Sequence, residues 1–340
     1  METGGESRGP AGPPARPGPR RIRRCLALGG AAILALTCAG PGLPAHLLGL
    51  RQTDAGPDHR LSATVDGAPK ASAATSVPLL TVPGRASERA ARVTEGYARA
   101  LEREHARRVT AARAWGLRAV PLRAPEPPEE KPELTTEPGH ITGPGLPPVI
   151  VGVPTDEKIV FLTIDDGAEK DPALLRMLDD LGIPYTGFLA DEVAREDYGY
   201  FRDALADGHT GQNHSLNHRE MTRLSYAEQL AEICGQQAVL ERELGQRPTL
   251  FRPPYGAYDA NTLRAAAECG AEVVPLWAEE AFPDRMEYGR PDGRLHPGDI
   301  ILTHFRGEGE WDGSMTDLLR RVLDTVTEQG FAIARLEDYV

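Results

Sequence analysis

The chain has 340 residues, long enough for a full enzyme core and too long for a small disulfide-stapled scaffold. Its 40% hydrophobic and 26% charged residues are ordinary for a soluble protein, but the halves differ. Residues 1–150 hold 20 of the 30 prolines and 20 Lys+Arg against 14 Asp+Glu, whereas the remainder carries 18 against 36. An acidic second half excludes nucleic acid as its partner, because phosphate contacts need a basic surface. The cysteines, at 25, 38, 234 and 269, lack CxxC spacing, so neither a disulfide framework nor a thiolate zinc site is signalled.

Residues 1–24 form a basic region ending in Arg20-Arg21-Ile22-Arg23-Arg24, and an uncharged run follows from Cys25 to Ala39. That pattern reads as an export signal, residues 25–50 being a cleaved signal peptide or a retained anchor; a membrane span needs about 20 apolar residues. Positive charge before the run predicts an exported chain, secreted or anchored to the outer face of the cytoplasmic membrane. Residues 51–150 read as a Pro/Ala-rich tether. Its first part has too few large apolar residues to offset the entropy of ordering and is expected to be disordered. Near-helical spacing of Val93, Tyr97, Leu101 and Val109 in a proline-free stretch predicts a solvated helix near 87–118. Nine prolines between 121 and 148 favour an extended, polyproline-like course.

The folded domain is expected at 151–340, where apolar runs alternate with helical patterns, as in an α/β fold with mostly parallel strands. Strands are predicted at 158–164, 184–190, 208–213, 249–252, 272–277, 299–303 and 331–335. Seven strands in this length suit a small barrel. Helices are predicted at 171–181 and 225–244, the second opened by a Ser225/Glu228 capping box. The unusual polar residues fall at the carboxyl ends of the strands, where α/β folds place their sites.

Thr163-Ile-Asp-Asp-Gly167 puts two adjacent carboxylates where a hydrophobic strand meets a turn, so that one can bind metal while the other stays free. His214-Ser-Leu-Asn-His218 spaces two imidazoles at i and i+4, which on one turn of helix point the same way and suit zinc. With a carboxylate they complete a two-His-one-carboxylate set. Arg252-Pro-Pro-Tyr255 aims an arginine from a rigid loop, and Leu302-Thr-His304 ends a strand in a histidine.

In this order the four pieces resemble the polysaccharide deacetylases of the NodB-homology type, carbohydrate esterase family 4, over roughly residues 155–340. The resemblance implies a distorted (β/α)7 barrel and metal-dependent deacetylation of an N-acetylated cell-wall polysaccharide, peptidoglycan or a chitin-like glycan. It implies Asp166, His214 and His218 as metal ligands, Asp165 as general base and His304 as general acid. By the same resemblance Arg252 pairs with the base, the Tyr255 backbone N–H is the oxyanion donor, and Leu302 and Trp277 meet the substrate. The chemistry is coherent: a divalent metal acidifies water and polarises the acetyl carbonyl, Asp165 takes the proton and His304 returns one to the departing nitrogen. Zinc is the expected ion, with cobalt or nickel able to use the same ligands. The polysaccharide is the expected partner, a membrane only if residues 25–50 are retained, and the chain is expected to be a monomer.

Two positions depart from the family pattern. Ala168 follows the Asp-Asp-Gly where proline is usual, and the family's fourth motif, an Asp-containing stretch ending in Trp, reads Leu276-Trp-Ala-Glu-Glu-Ala-Phe-Pro-Asp284. Glu279, Glu280 or Asp284 could replace the aspartate that tunes the acid histidine. The altered motif leaves a noncatalytic glycan-binding protein as one alternative, and an O-acetyl xylan esterase using the same site is another. His209 is expected to be structural, and Cys234 and Cys269 to be buried thiols rather than a disulfide.

Overall fold

A computed structural model describes residues 85–206 and 208–340. The expected export segment and the first part of the expected tether lie outside them. In chain order the elements are α1 (Arg85–Ala114), β1 (Val149–Ile150), β2 (Ile159–Asp166), α2 (Pro172–Leu181), β3 (Thr186–Leu189), α3 (Asp191–Ala194), α4 (Tyr198–Ala206) and β4 (Thr210–Asn213). There follow α5 (Tyr226–Leu244), α6 (Ala260–Glu268), β5 (Val274–Pro275), β6 (Glu279–Ala281), β7 (Met286–Tyr288), β8 (Ile300–His304), α7 (Met315–Glu328) and β9 (Ala332–Ala334). Among the described residues no helix is long and apolar enough to cross a membrane.

The sheet grows from β2, whose eight residues are all buried. A continuous apolar run suits a parallel strand covered on both faces. It pairs in parallel with β3, β8 and β9; β4 continues beyond β3, β6 beyond β8, and β7 turns back antiparallel on β6. β1 and β5 form a separate parallel pair. The strands expected at 249–252 and 272–277 are reduced to single bridges, Asn213 with Phe251 and Leu250 with Val273, and to the two residues of β5. Pro248, Pro253, Pro254 and Pro275 account for this, since each removes a ladder donor.

The helices end where their sequences say. Asp171 caps α2 ahead of Pro172, and Gly182 closes it in the left-handed region; Ser225 and Glu228 form the expected capping box on α5. The expected helix near 87–118 is α1, with Val93, Tyr97 and Leu101 exposed. Its later turns are not solvated, however. Ala112 is buried, and the Arg108 guanidinium donates to Leu181 O and Pro121 O, capping the end of α2. The proline-rich stretch that follows is extended but not free: Leu122 bridges Ala332, and Glu137 N donates to Val149 O. The body of the domain therefore begins well before residue 151.

Cys234 and Cys269 are joined in a disulfide, contrary to the expectation of free thiols. Cys234 lies on α5 and Cys269 at the end of α6, and local sequence pattern could not show that the two helices pack side by side, with Cα atoms 5.0 Å apart at the bridge. The bridge closes a loop across a sequence separation of 35. Its removal by a C234S/C269S double substitution should cost about 2–5 kcal/mol of stability. Urea unfolding of the oxidised wild type and the variant checks this, and coincident curves would contradict it.

Candidate active site

The site is built on the end of β2. Side chains alternate along a strand, so Asp165 and Asp166 should point to opposite faces. They do not, because Asp166 adopts φ 74° and Gly167 φ 84°, a left-handed exit that few residues tolerate and aspartate tolerates better than most. The turn brings both carboxylates to one imidazole: His214 Nε2 lies 3.6 Å from Asp165 Oδ2 and 3.5 Å from Asp166 Oδ1.

Arg252 is fully buried against Asp165. Its Nη1 donates to Asp165 Oδ1 at 2.7 Å and to Thr163 Oγ1 at 2.8 Å, Nε donates to Pro275 O and Nη2 to Leu276 O. The guanidinium also lies 4.2 Å from the centre of the Phe188 ring. Burial lowers its pKa and the charge of Asp165 opposes that shift. Every arm of the fork is thus used, and Asp165 is held with Oδ2 turned toward His214.

His214 and His218 do not share a helical turn, as their spacing suggested. They sit on a loop after β4, with Ser215 at φ 68° and His218 at φ 48°. Asn213 and Glu232 hold this loop: Asn213 Oδ1 accepts from Ser215 N, and the Glu232 carboxylate accepts from Asn217 N and Nδ2. Neither was singled out from the sequence, and Glu232 reads there as an ordinary helix residue.

His214 Nδ1 lies 2.8 Å from Arg252 O. A carbonyl only accepts, so Nδ1 carries a hydrogen and Nε2 is the nitrogen that faces the carboxylates. His218 Nε2 is 3.1 Å from Asp166 Oδ1, a buried oxygen that accepts no hydrogen bond. Acceptors converging this way need a positive charge between them. The electrostatics agree: burial works against imidazolium at His214, but Asp165 and Asp166 raise its pKa. Burial likewise opposes ionisation of Asp166, yet the two imidazoles hold its carboxyl well below the usual range. Asp166, His214 and His218 each offer one donor atom, all within 4.8 Å of one another, and this set fits a divalent metal.

His304 ends β8 in register with Asp165. Burial lowers its pKa, while Asp165 and Asp166 oppose the shift. Of the three acids considered for the altered motif, Glu280 is the one beside it, with Oε1 3.8 Å from His304 Nδ1, too long for a hydrogen bond. Glu279 instead lies buried with Asp299 and Arg290, where burial and Asp299 push it up to about 9, and Asp284 pairs with Arg285. The hairpin of β6 and β7 that presents Glu280 was not among the predicted strands.

Tyr255 has φ 62°, its ring is exposed, and it stands 4.8 Å from the His218 ring. Gly256 beside it lies against Trp277, whose indole a Cβ would approach to 3.0 Å. Leu302 is buried on β8. His209 is buried away from these groups with its ring 4.3 Å from that of Tyr185, in keeping with a structural part. Two residues absent from the sequence reading also reach the site: Arg306, bonded to Asp166, and Trp311, whose ring meets that of His304 edge-on at 5.9 Å. Both follow the last recognisable motif, in a stretch with no pattern of its own.

The family model for polysaccharide deacetylase matches residues 152–274. An uncharacterized protein of Streptomyces coelicolor is 44% identical over 196 residues, covering 57% of this chain and 78% of its own length. A peptidoglycan-N-acetylglucosamine deacetylase of Bacillus cereus is 27% identical over 185 residues, covering 52% of this chain and 66% of its own. The solved structure of the Bc1960 peptidoglycan N-acetylglucosamine deacetylase, with a bound benzamide, aligns over 56% of this chain and 92% of that one, at a TM-score of 0.50 and 24% identity, and shows the fold. The chain belongs to the polysaccharide deacetylase family.

Arg252→Met would strand a buried Asp165 without its cation, and breaking such a pair costs about 3–5 kcal/mol. Chemical denaturation should show that loss; a change near the 0.5 kcal/mol or so of a surface substitution would contradict the clamp.

Proposed function

We propose that this protein is an exported, metal-dependent deacetylase of an N-acetylated cell-wall polysaccharide, with peptidoglycan as substrate. One observation carries the reading: Asp166, His214 and His218 converge as a metal-ligand set beside Asp165 and His304, one carboxylate and one imidazole left for proton transfer. The run of bridges from β4 through Phe251 and Val273 supports a distorted barrel around that site. The disulfide supports an oxidising compartment, as does the basic and apolar start of the sequence. Peptidoglycan is the substrate that the name of the Bacillus cereus relative gives for that protein.

Asp166, His214 and His218 would hold the metal, for which zinc suits the donors. When bound, the ion supplies Lewis acidity toward water and the acetyl carbonyl. Asp165, fixed by Arg252, accepts the proton of the attacking water. His304 donates one to the sugar nitrogen, which is too poor a leaving group to depart as an anion. The Tyr255 N–H serves the developing oxyanion, where one such donor is typically worth about 10²–10³-fold. Leu302 receives the acetyl methyl, and Trp277 backs the turn that carries Tyr255. Glu280 takes the place of the missing aspartate near His304. The open distance from Glu280 to His304 favours, as a second reading, a glycan-binding protein without turnover.

Asp165→Asn should lower turnover at least about 10²-fold with one metal per chain retained, whereas Asp166→Asn should lose the metal. Metal content by elemental analysis, beside acetate release, checks the division. Loss of metal in Asp165→Asn would overturn it, and metal-loaded wild type without turnover would favour the second reading.

A further inference from the structure

Arg306, two residues past His304, reaches back to β2. Its Nη2 donates to Asp166 Oδ2 at 2.8 Å and its Nε approaches the same oxygen at 3.3 Å. Both bonds fall on one oxygen, while Oδ1 accepts none and faces His214 and His218. The two adjacent carboxylates are therefore treated alike. Asp165 gives Oδ1 to Arg252 and turns Oδ2 inward; Asp166 gives Oδ2 to Arg306 and turns Oδ1 inward.

The arginine is itself held. Its backbone N–H donates to His304 O, Phe305 N donates to Asp165 O, and Glu310 Oε2 stands 3.5 Å from its Nε. Its side chain is one-third exposed, so the core does not depend on it for packing. A charge-assisted bond of this kind competes directly with a metal for the oxygen it occupies.

We propose that Arg306 is a positioning residue for the metal centre: by occupying Asp166 Oδ2 it leaves Oδ1 as the only donor atom of that carboxylate. The proposal rests on Asp166, His214 and His218 being the metal ligands. Carboxylates bind metals through one oxygen or two, and a second oxygen would fill a coordination position that water and substrate need. Arg306 keeps that position open without touching the reacting groups.

The test is cobalt titration of the metal-stripped full chain, followed by visible absorption, for wild type, Arg306→Met and Arg306→Lys. The wild type should show the intense bands of cobalt at low coordination number. Arg306→Met should still bind one cobalt per chain but with a loss of band intensity, as the freed oxygen joins the metal. Arg306→Lys, which returns a charged donor to Oδ2, should restore the wild-type spectrum. A methionine variant with the wild-type spectrum overturns the proposal and leaves the metal site standing. A wild type that binds no cobalt overturns the metal site and the proposal with it. Should the methionine variant not fold, Arg306→Ser makes the same comparison with a truncated side chain.

Discussion

Two neighbouring carboxylates at the end of a buried strand repel each other away from bulk water, so burying both is costly unless cations surround them. Asp165 and Asp166 are in that position, and the site is arranged around meeting the demand. Arg252 answers one and Arg306 the other, and the oxygens left over point at two imidazoles. The remaining need for positive charge falls between Asp166, His214 and His218. The convergence of these groups thus follows from one electrostatic constraint, with the left-handed turn at Asp166 as its geometric condition.

The fold supplies these cations from separate elements. Arg252 comes from the proline-fixed loop after the Phe251 bridge and makes hydrogen bonds to backbone carbonyls of Pro275 and Leu276 as well as to Asp165. Its own carbonyl sets the tautomer of His214. One residue therefore orients Asp165 through its side chain and His214 through its backbone. β8 lies directly beside β2, and the residues that follow it return Arg306 to Asp166 and set Trp311 against His304.

Much of this was legible in the sequence because it is carried by local pattern. Apolar runs ending in polar residues marked β2 and β8, and the four motifs were enough to single out Asp165, Asp166, His214, His218 and Arg252, which the structure brings together. Contacts between elements distant in sequence were not legible. The disulfide depends on α5 lying against α6, the burial of Arg108 on α1 reaching the end of α2, and the place of Glu280 beside His304 on β6 pairing with β7 and β8. The histidine loop misled for a related reason. An i, i+4 spacing implies a helix only if the backbone is helical, and here left-handed residues at Ser215 and His218 bring the rings together instead.

These groups are proposed to act together as a metal-dependent hydrolase. Acetate released by the full-length chain from peptidoglycan, assayed with and without a chelator, tests it most directly. Release that the chelator stops and added zinc restores is the predicted result. No acetate from a chain shown to carry its metal would contradict the account.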